Sequence, residues 1–123
     1  MYLNKFIGIG NCAADPEVKD VQGRRVANFR IGITERFKDA NGQVQDHTEW
    51  VNVVAWAKVA EIAERFVQRG TPVLVEGKIQ SRQWEDRQGN KRFVTEINAT
   101  NVQVLNRATR QSGRQRPTDD EEF

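Results

Sequence analysis

Polar and apolar residues alternate along most of the chain, and this period of two predicts strands. In residues 3–12, Leu3, Ile7 and Ile9 form one side against Asn4, Phe6 and Gly8. Asp15-Pro16-Glu17 and Gln22-Gly23 then break the pattern. A second strand is predicted over residues 26–37, with Phe29, Ile31 and Ile33 on one side and Asn28, Arg30, Thr34 and Arg36 on the other. Polar residues 38–46 contain Asn41-Gly42, a hairpin signal, and a third strand follows over 48–57. There the period changes. Val59, Ile62, Ala63, Phe66 and Val67 recur at the spacing of a helix with one buried stripe, with Glu61 and Arg65 able to pair outside it and Gly70 as its stop. A fourth strand over 73–84 turns Val73, Val75 and Ile79 inward. Gln88-Gly89-Asn90 marks a second hairpin, and a fifth strand covers 92–105.

Three strands, one helix and two more strands do not make the alternating units of a parallel sheet. The order predicts an all-β fold, a five-stranded antiparallel barrel with one helix between the third and fourth strands and long protruding hairpins. That is the arrangement of the OB fold, whose middle strands and hairpins form a ligand face. The 123 residues suit one domain, placed at 1–106. Residues 107–123 lose all periodicity and are expected to form a disordered tail. Charge separates along that tail. Arg107, Arg110, Arg114 and Arg116 form a basic stalk, and Asp119, Asp120, Glu121 and Glu122 form an acidic tip before Phe123. The body is mildly basic, with 15 Lys and Arg against 13 Asp and Glu.

No apolar run approaches the ~20 residues that span a bilayer. The first residues lack the basic start and long apolar stretch of a secretory signal, so a cytoplasmic protein without membrane contact is expected. Cys12 and His47 are the only residues of their types. They exclude a disulfide framework and a Cys/His zinc site, and they leave no nucleophilic triad unless His47 serves it. His47 is read as a loop residue, Cys12 as a small, partly buried one. Gly8-Ile9-Gly10-Asn11-Cys12-Ala13 fits G-x-G-x-x-A, but no crossover helix follows; glycines bending a barrel strand account for it better. Glu85-Asp86 is solvated hairpin charge rather than a metal site. The expectation is a protein that is not an enzyme and needs neither cofactor nor metal.

The third strand carries the chemistry. Trp50, Asn52, Val54 and Trp56 share one face; Val51, Val53 and Ala55 share the other. Small residues inside a tight barrel would turn the tryptophans out, and the reverse packing is equally open from this strand alone. Trp84 shifts the balance, because a ring between Gln83 and Glu85 in a polar hairpin is hard to bury. Lys78 and Arg82 share its parity, and Phe37 falls in or near the first hairpin. Exposed rings interleaved with cations are what an unpaired nucleic-acid strand needs: flat faces for bases and positive charge for phosphates. Phe37, Trp50, Trp56 and Trp84 are therefore the candidate stacking platforms. Lys5, Arg30, Arg36, Lys58, Lys78, Arg82, Arg87, Lys91 and Arg92 are the candidate phosphate contacts.

The sequence also resembles a known family. Asn4-Lys5-Phe6-Ile7, Gly10-Asn11, Asp15-Pro16-Glu17-Val18, Thr48-Glu49-Trp50, Lys58-Val59-Ala60-Glu61, Arg69-Gly70, Val75-Glu76-Gly77 and the Trp84 hairpin are similar, in that order, to bacterial single-stranded DNA-binding proteins. The resemblance covers about residues 3–105 and the acidic tip. It implies an OB fold, a homotetramer built as a dimer of dimers, and stacking roles for Phe37, Trp50, Trp56 and Trp84. It further implies sequence-independent binding of single-stranded DNA in replication, recombination and repair, and a nucleoid-associated location. Partner proteins would be reached through Asp119, Asp120, Glu121, Glu122 and Phe123, the terminal ring filling an apolar pocket. Two alternatives stand beside it: an RNA-binding or replication-restart module on the same fold, and a structural adaptor whose exposed rings contact protein.

Overall fold

A computed structural model describes residues 1–105; the expected tail at 107–123, with its basic stalk and acidic tip, lies outside the described residues. In chain order the elements are β1 (Phe6–Cys12), β2 (Glu17–Val21), β3 (Arg24–Lys38), β4 (Val44–Trp56), α1 (Ala57–Phe66), β5 (Pro72–Glu85) and β6 (Lys91–Val104). The sheet order is β1-β5-β6-β4-β3-β2, and a β1–β3 pairing closes it. Five long strands therefore form the barrel. Every pairing is antiparallel except the short β4–β6 contact, Val53 with Ile97 and Val54 with Asn98, which is parallel and replaces the all-antiparallel closure expected.

The barrel is narrow because its inward residues are small. Ile31, Val53, Val73 and Val75 are its largest fully buried side chains, joined by Ala27, Ala55, Ala99 and Val102. On β1 the inward side is Phe6, Gly8, Gly10 and Cys12, while Ile7 and Ile9 face out at 57% and 51% exposure and Leu3 is exposed. The alternation was legible, but the bulkier set is the outward one. Closure is the reason: a Cβ at Gly10 would stand 2.5 Å from the carbonyl oxygen of Gly32 on β3, so only glycine lets the two backbones meet.

Five other expectations are corrected. The segment after Pro16 holds β2, whose five residues use β3 as a template from Glu17↔Asn28 to Val21↔Arg24. As an edge strand with one ladder, it packs only Val18 against the core, too little apolar pattern for the sequence to announce it. Ile79 is 49% exposed although Ile97 opposite it is buried, because the β1 ladder on its other side ends at Phe6↔Gly77. Phe66 is also exposed and lies under the Arg65 guanidinium, 5.3 Å from the ring centroid; Ala60, Ala63 and Val67 form the buried stripe in its place. His47 sits within β4, its Nε2 2.7 Å from Glu49 Oε2. Gly70 is not the helix stop: α1 ends at Phe66 with Val67 as an extended cap whose N–H donates to Ala63 O, and Gly70, at φ +82°, belongs to the turn that follows, its N–H donating to Cys12 O at 2.8 Å.

Ala57 opens α1 at φ +54°, a left-handed conformation at the joint between β4 and the helix. An L-residue there costs about 1–2 kcal/mol, against roughly 0.5–1 kcal/mol of extra chain entropy that glycine loses on folding. Ala57→Gly is therefore expected to leave stability unchanged or raise it by up to about 1.5 kcal/mol. A denaturant midpoint that moves up or stays, with constant m, is the expected reading; a clear fall would contradict the strain.

Candidate nucleic-acid interface

The β3–β4 ribbon builds the site. Its register runs unbroken from Val26↔Trp56 to Lys38↔Val44. The Thr34 and Thr48 hydroxyls, 2.8 Å apart, lie on its outer face. With Val51, Val53 and Ala55 turned to the core, Trp50, Asn52 and Trp56 lie on the other face beside Asn28, Arg30 and Gly32 of β3, and Val54 between them on that face is buried at 6% exposure. The packing left open by the third strand is thus settled with the tryptophans outside. Trp50 is 54% exposed and Trp56 half-buried.

Gly32 lies directly opposite Trp50 in the register. A Cβ at position 32 would come within 2.7 Å of the indole, so the missing side chain is what lets the ring lie across β3. Two guanidinium groups attend the rings. Arg30 lies over Trp50 and Arg24 over Trp56, each 5.0 Å from the ring centroid. Arg24 is absent from the candidates named from sequence. The available signal was its register, which gives it the same diagonal relation to Trp56 that Arg30 has to Trp50.

A groove of about 650 Å³ runs from this face to the β5–β6 hairpin, lined among others by Arg30, Asn52, Val54, Arg82, Val94 and Glu96. Arg82 and Trp84 share one face of that hairpin, opposite Val94 and Arg92, and Trp84 is 46% exposed. Glu96 is the one charged side chain buried among the described residues, at 4% exposure. Its carboxylate accepts from Gln80 Nε2 at 3.0 Å and from Arg82 Nε and Nη2 at 3.3 Å. Sequence parity had no means of marking Glu96, since its burial comes from the groove wall rather than from the strand pattern.

The other candidates spread further. Phe37 is 49% exposed, but by parity it lies on the face of the β3–β4 ribbon opposite Trp50. Phe93, another exposed ring, lies opposite Gln83 on the hairpin face away from Trp84. Arg36 is paired with Asp46 and Arg92 with Asp86, both at 3.0 Å. Lys5 and Lys78 line a separate cavity beside Gly77 and Thr100, and Lys58 stands at the start of α1 near Arg24. Arg87 and Lys91 are exposed at the tip of the second hairpin. Cys12 is buried, its Sγ–H donating to Ala14 O at 2.9 Å, and burial pushes its thiol pKa up. It is a packing residue.

Both hairpins that carry candidate residues end in the same turn. Asp39 Oδ1 accepts from the N–H groups of Asn41 and Gln43, and Asp86 Oδ1 from those of Gln88 and Asn90, all at 2.9 Å. Gly42 and Gly89 follow at φ +80° and +81°. These backbone donors, Gln43 first for Asp39 and Asn90 first for Asp86, hold both carboxyls below the usual carboxylate pKa. A depressed folded-state pKa contributes stability above the unfolded pKa and loses it as pH falls through the folded value. The turns are therefore expected to hold at neutral pH and to loosen below about pH 4. Amide exchange at Gln43 and Asn90 that accelerates on acidification, relative to barrel amides, would show it.

A closed small barrel whose outer face pairs indoles with guanidinium groups along a groove falls in the class of oligonucleotide-binding barrels, and the fold is the OB fold. Residues 3–105 match the single-strand binding protein family. Curated relatives include single-stranded DNA-binding protein 1 of Chlorobaculum tepidum, 41% identical over 84% of this chain and 65% of its own length. The single-stranded DNA-binding protein of Rhizobium meliloti is 41% identical over 77% of this chain and 56% of its own length. Single-stranded DNA-binding protein 1 of Xylella fastidiosa is 40% identical over 84% and 77%. The matched segment thus spans less than two-thirds of the first two relatives. Among solved structures, a Plasmodium falciparum SSB complex with ssDNA superposes with a TM-score of 0.78 at 24% identity, covering 86% of this chain and 97% of the other. The chain belongs to the single-strand binding protein family.

Proposed function

We propose that this chain binds single-stranded DNA without sequence preference and catalyses no reaction. The observation that carries the reading is the outward placement of Trp50 and Trp56 on one strand face, each with a guanidinium over its ring. Bases stack on Trp50, Trp56 and Trp84, whatever their identity, because every base offers a π face. Phe37 serves strand that passes round the first hairpin. Lys5, Arg30, Arg36, Lys58, Lys78, Arg82, Arg87, Lys91 and Arg92 neutralise phosphates and release counterions. Such a protein coats exposed strand during replication, recombination and repair in the cytoplasm, associated with the nucleoid. Family membership and the unpartnered outward Ile7 and Ile9 of β1 support assembly as a homotetramer, a dimer of dimers. The acidic tip ending in Phe123 recruits partner proteins as a short peptide.

Tryptophan emission titrated with poly(dT) tests the reading. Quenching to a stoichiometric endpoint is expected, and its absence would return the exposed rings to protein contact. Poly(U) of equal length, competed against poly(dT), separates a DNA protein from an RNA-binding module.

A further inference from the structure

Charge pairing divides the arginines of the described residues. Arg25, Arg36, Arg82 and Arg92 each have a carboxylate oxygen within 2.6–3.3 Å. Arg24, Arg30, Arg65, Arg69 and Arg87 have none within 4.0 Å among the described residues, and of these only Arg24 and Arg30 lie over a tryptophan. The contrast is sharpest between neighbours, for Arg25 is clamped by Glu64 at 2.6 Å and Asp20 at 3.5 Å while Arg24 is not.

Arg24 and Arg30 also stand in one geometric relation to their rings. In the β3–β4 register Arg30 is opposite Asn52 and Gly32 opposite Trp50, so Arg30 and Trp50 form a diagonal pair. Extending the register beyond Val26↔Trp56 makes Arg24 and Trp56 the same diagonal pair, six residues further along each strand. At ~3.3 Å per residue the two pairs lie roughly 20 Å apart, a span that takes several nucleotides to cross.

We infer that Arg24–Trp56 and Arg30–Trp50 are two equivalent nucleotide-binding units, each taking a base on the indole and its phosphate on the guanidinium. The inference deepens the single-stranded DNA reading above and rests on it. A guanidinium held only by a ring face is free to form the stronger, charge-assisted bonds that a phosphate offers, whereas one already committed to a carboxylate must break that pair first. The second unit also lengthens the site. Arg24 lines a cavity of about 530 Å³ with Gly23, Ala57 and Lys58, so the bound strand continues past Trp56 to the β2–β3 turn and the start of α1. Asp20, Arg25 and Glu61 share that cavity, where Arg25 is already held by Asp20 and Glu64.

The test measures affinity of the full chain for oligo(dT) over a range of salt, alongside tryptophan quenching. Arg24→Gln and Arg30→Gln are each expected to lower the slope of log K against log salt by about 0.7, the value for one phosphate of a single strand. Arg25→Gln removes the same charge one residue away and is expected to leave the slope unchanged. A slope unaltered in Arg24→Gln and Arg30→Gln, or lowered equally in Arg25→Gln, overturns the inference while quenching in the unaltered chain still upholds the DNA reading. Absence of quenching in the unaltered chain overturns both.

Discussion

Removing both ribbon tryptophans, as Trp50→Ala with Trp56→Ala, is expected to weaken oligo(dT) binding on the order of 10²–10⁴-fold. Each base–ring stack contributes about 1–3 kcal/mol by alanine substitution. The two rings stand six residues apart on β4, roughly 20 Å, far enough for their losses to add. Stability should fall much less than binding, because Trp50 is more than half exposed and the barrel interior beneath is filled by Val51, Val53 and Ala55. Trp56 is the more buried of the two, so Trp56→Phe is the better probe there: it keeps a platform of smaller area and should retain most of the affinity.

Gly32→Ala gives the same answer without deleting a ring. The added methyl group meets the indole at 2.7 Å, so the ring must leave its place across β3. Binding should then fall toward that of Trp50→Ala. Circular dichroism and the unfolding midpoint check that the barrel persists, and an affinity unchanged in all these variants would mean that bases do not stack on this face.

How far this could be read from sequence depends on what each feature requires. Strand parity put Trp50 and Trp56 on one face but left open which face was outside; the polar surroundings of Trp84 in its hairpin tipped that choice outward. The helix followed from its period, although Phe66 lies outside the buried stripe of Ala60, Ala63 and Val67. By contrast, the orientation of β1 depends on Gly10 meeting Gly32, residues 22 positions apart in sequence, and alternation alone cannot say which of two faces is inside. β2 has a single core-facing residue, Val18, too little to announce it. Arg24 and Arg25 look alike in sequence; only the placement of Glu64 on α1 separates the committed cation from the available one. What escaped was therefore the pairing of charges, which depends on where the chain returns.

Glu96 supplies the larger effect on folding. Arg82→Ala would leave a carboxylate of 4% exposure with Gln80 as its only remaining side-chain partner. Removing one member of a buried pair costs 3–5 kcal/mol in general, and the half-exposed Arg82 places this case near the lower end, about 3 kcal/mol. Glu96→Gln should cost less, since the amide keeps an acceptor for Arg82 while removing the buried charge. Replacing both, as Arg82→Met with Glu96→Leu, is expected to recover much of the loss, because no unpaired charge remains. Denaturant midpoints with constant m give the comparison. The double variant then separates two roles that Arg82 combines: if it folds as stably as the parent yet binds oligo(dT) more weakly with a shallower salt slope, Arg82 meets phosphate as well as holding Glu96. If Arg82→Ala alone is no less stable than the parent, Glu96 has access to water and the groove wall is not closed as described.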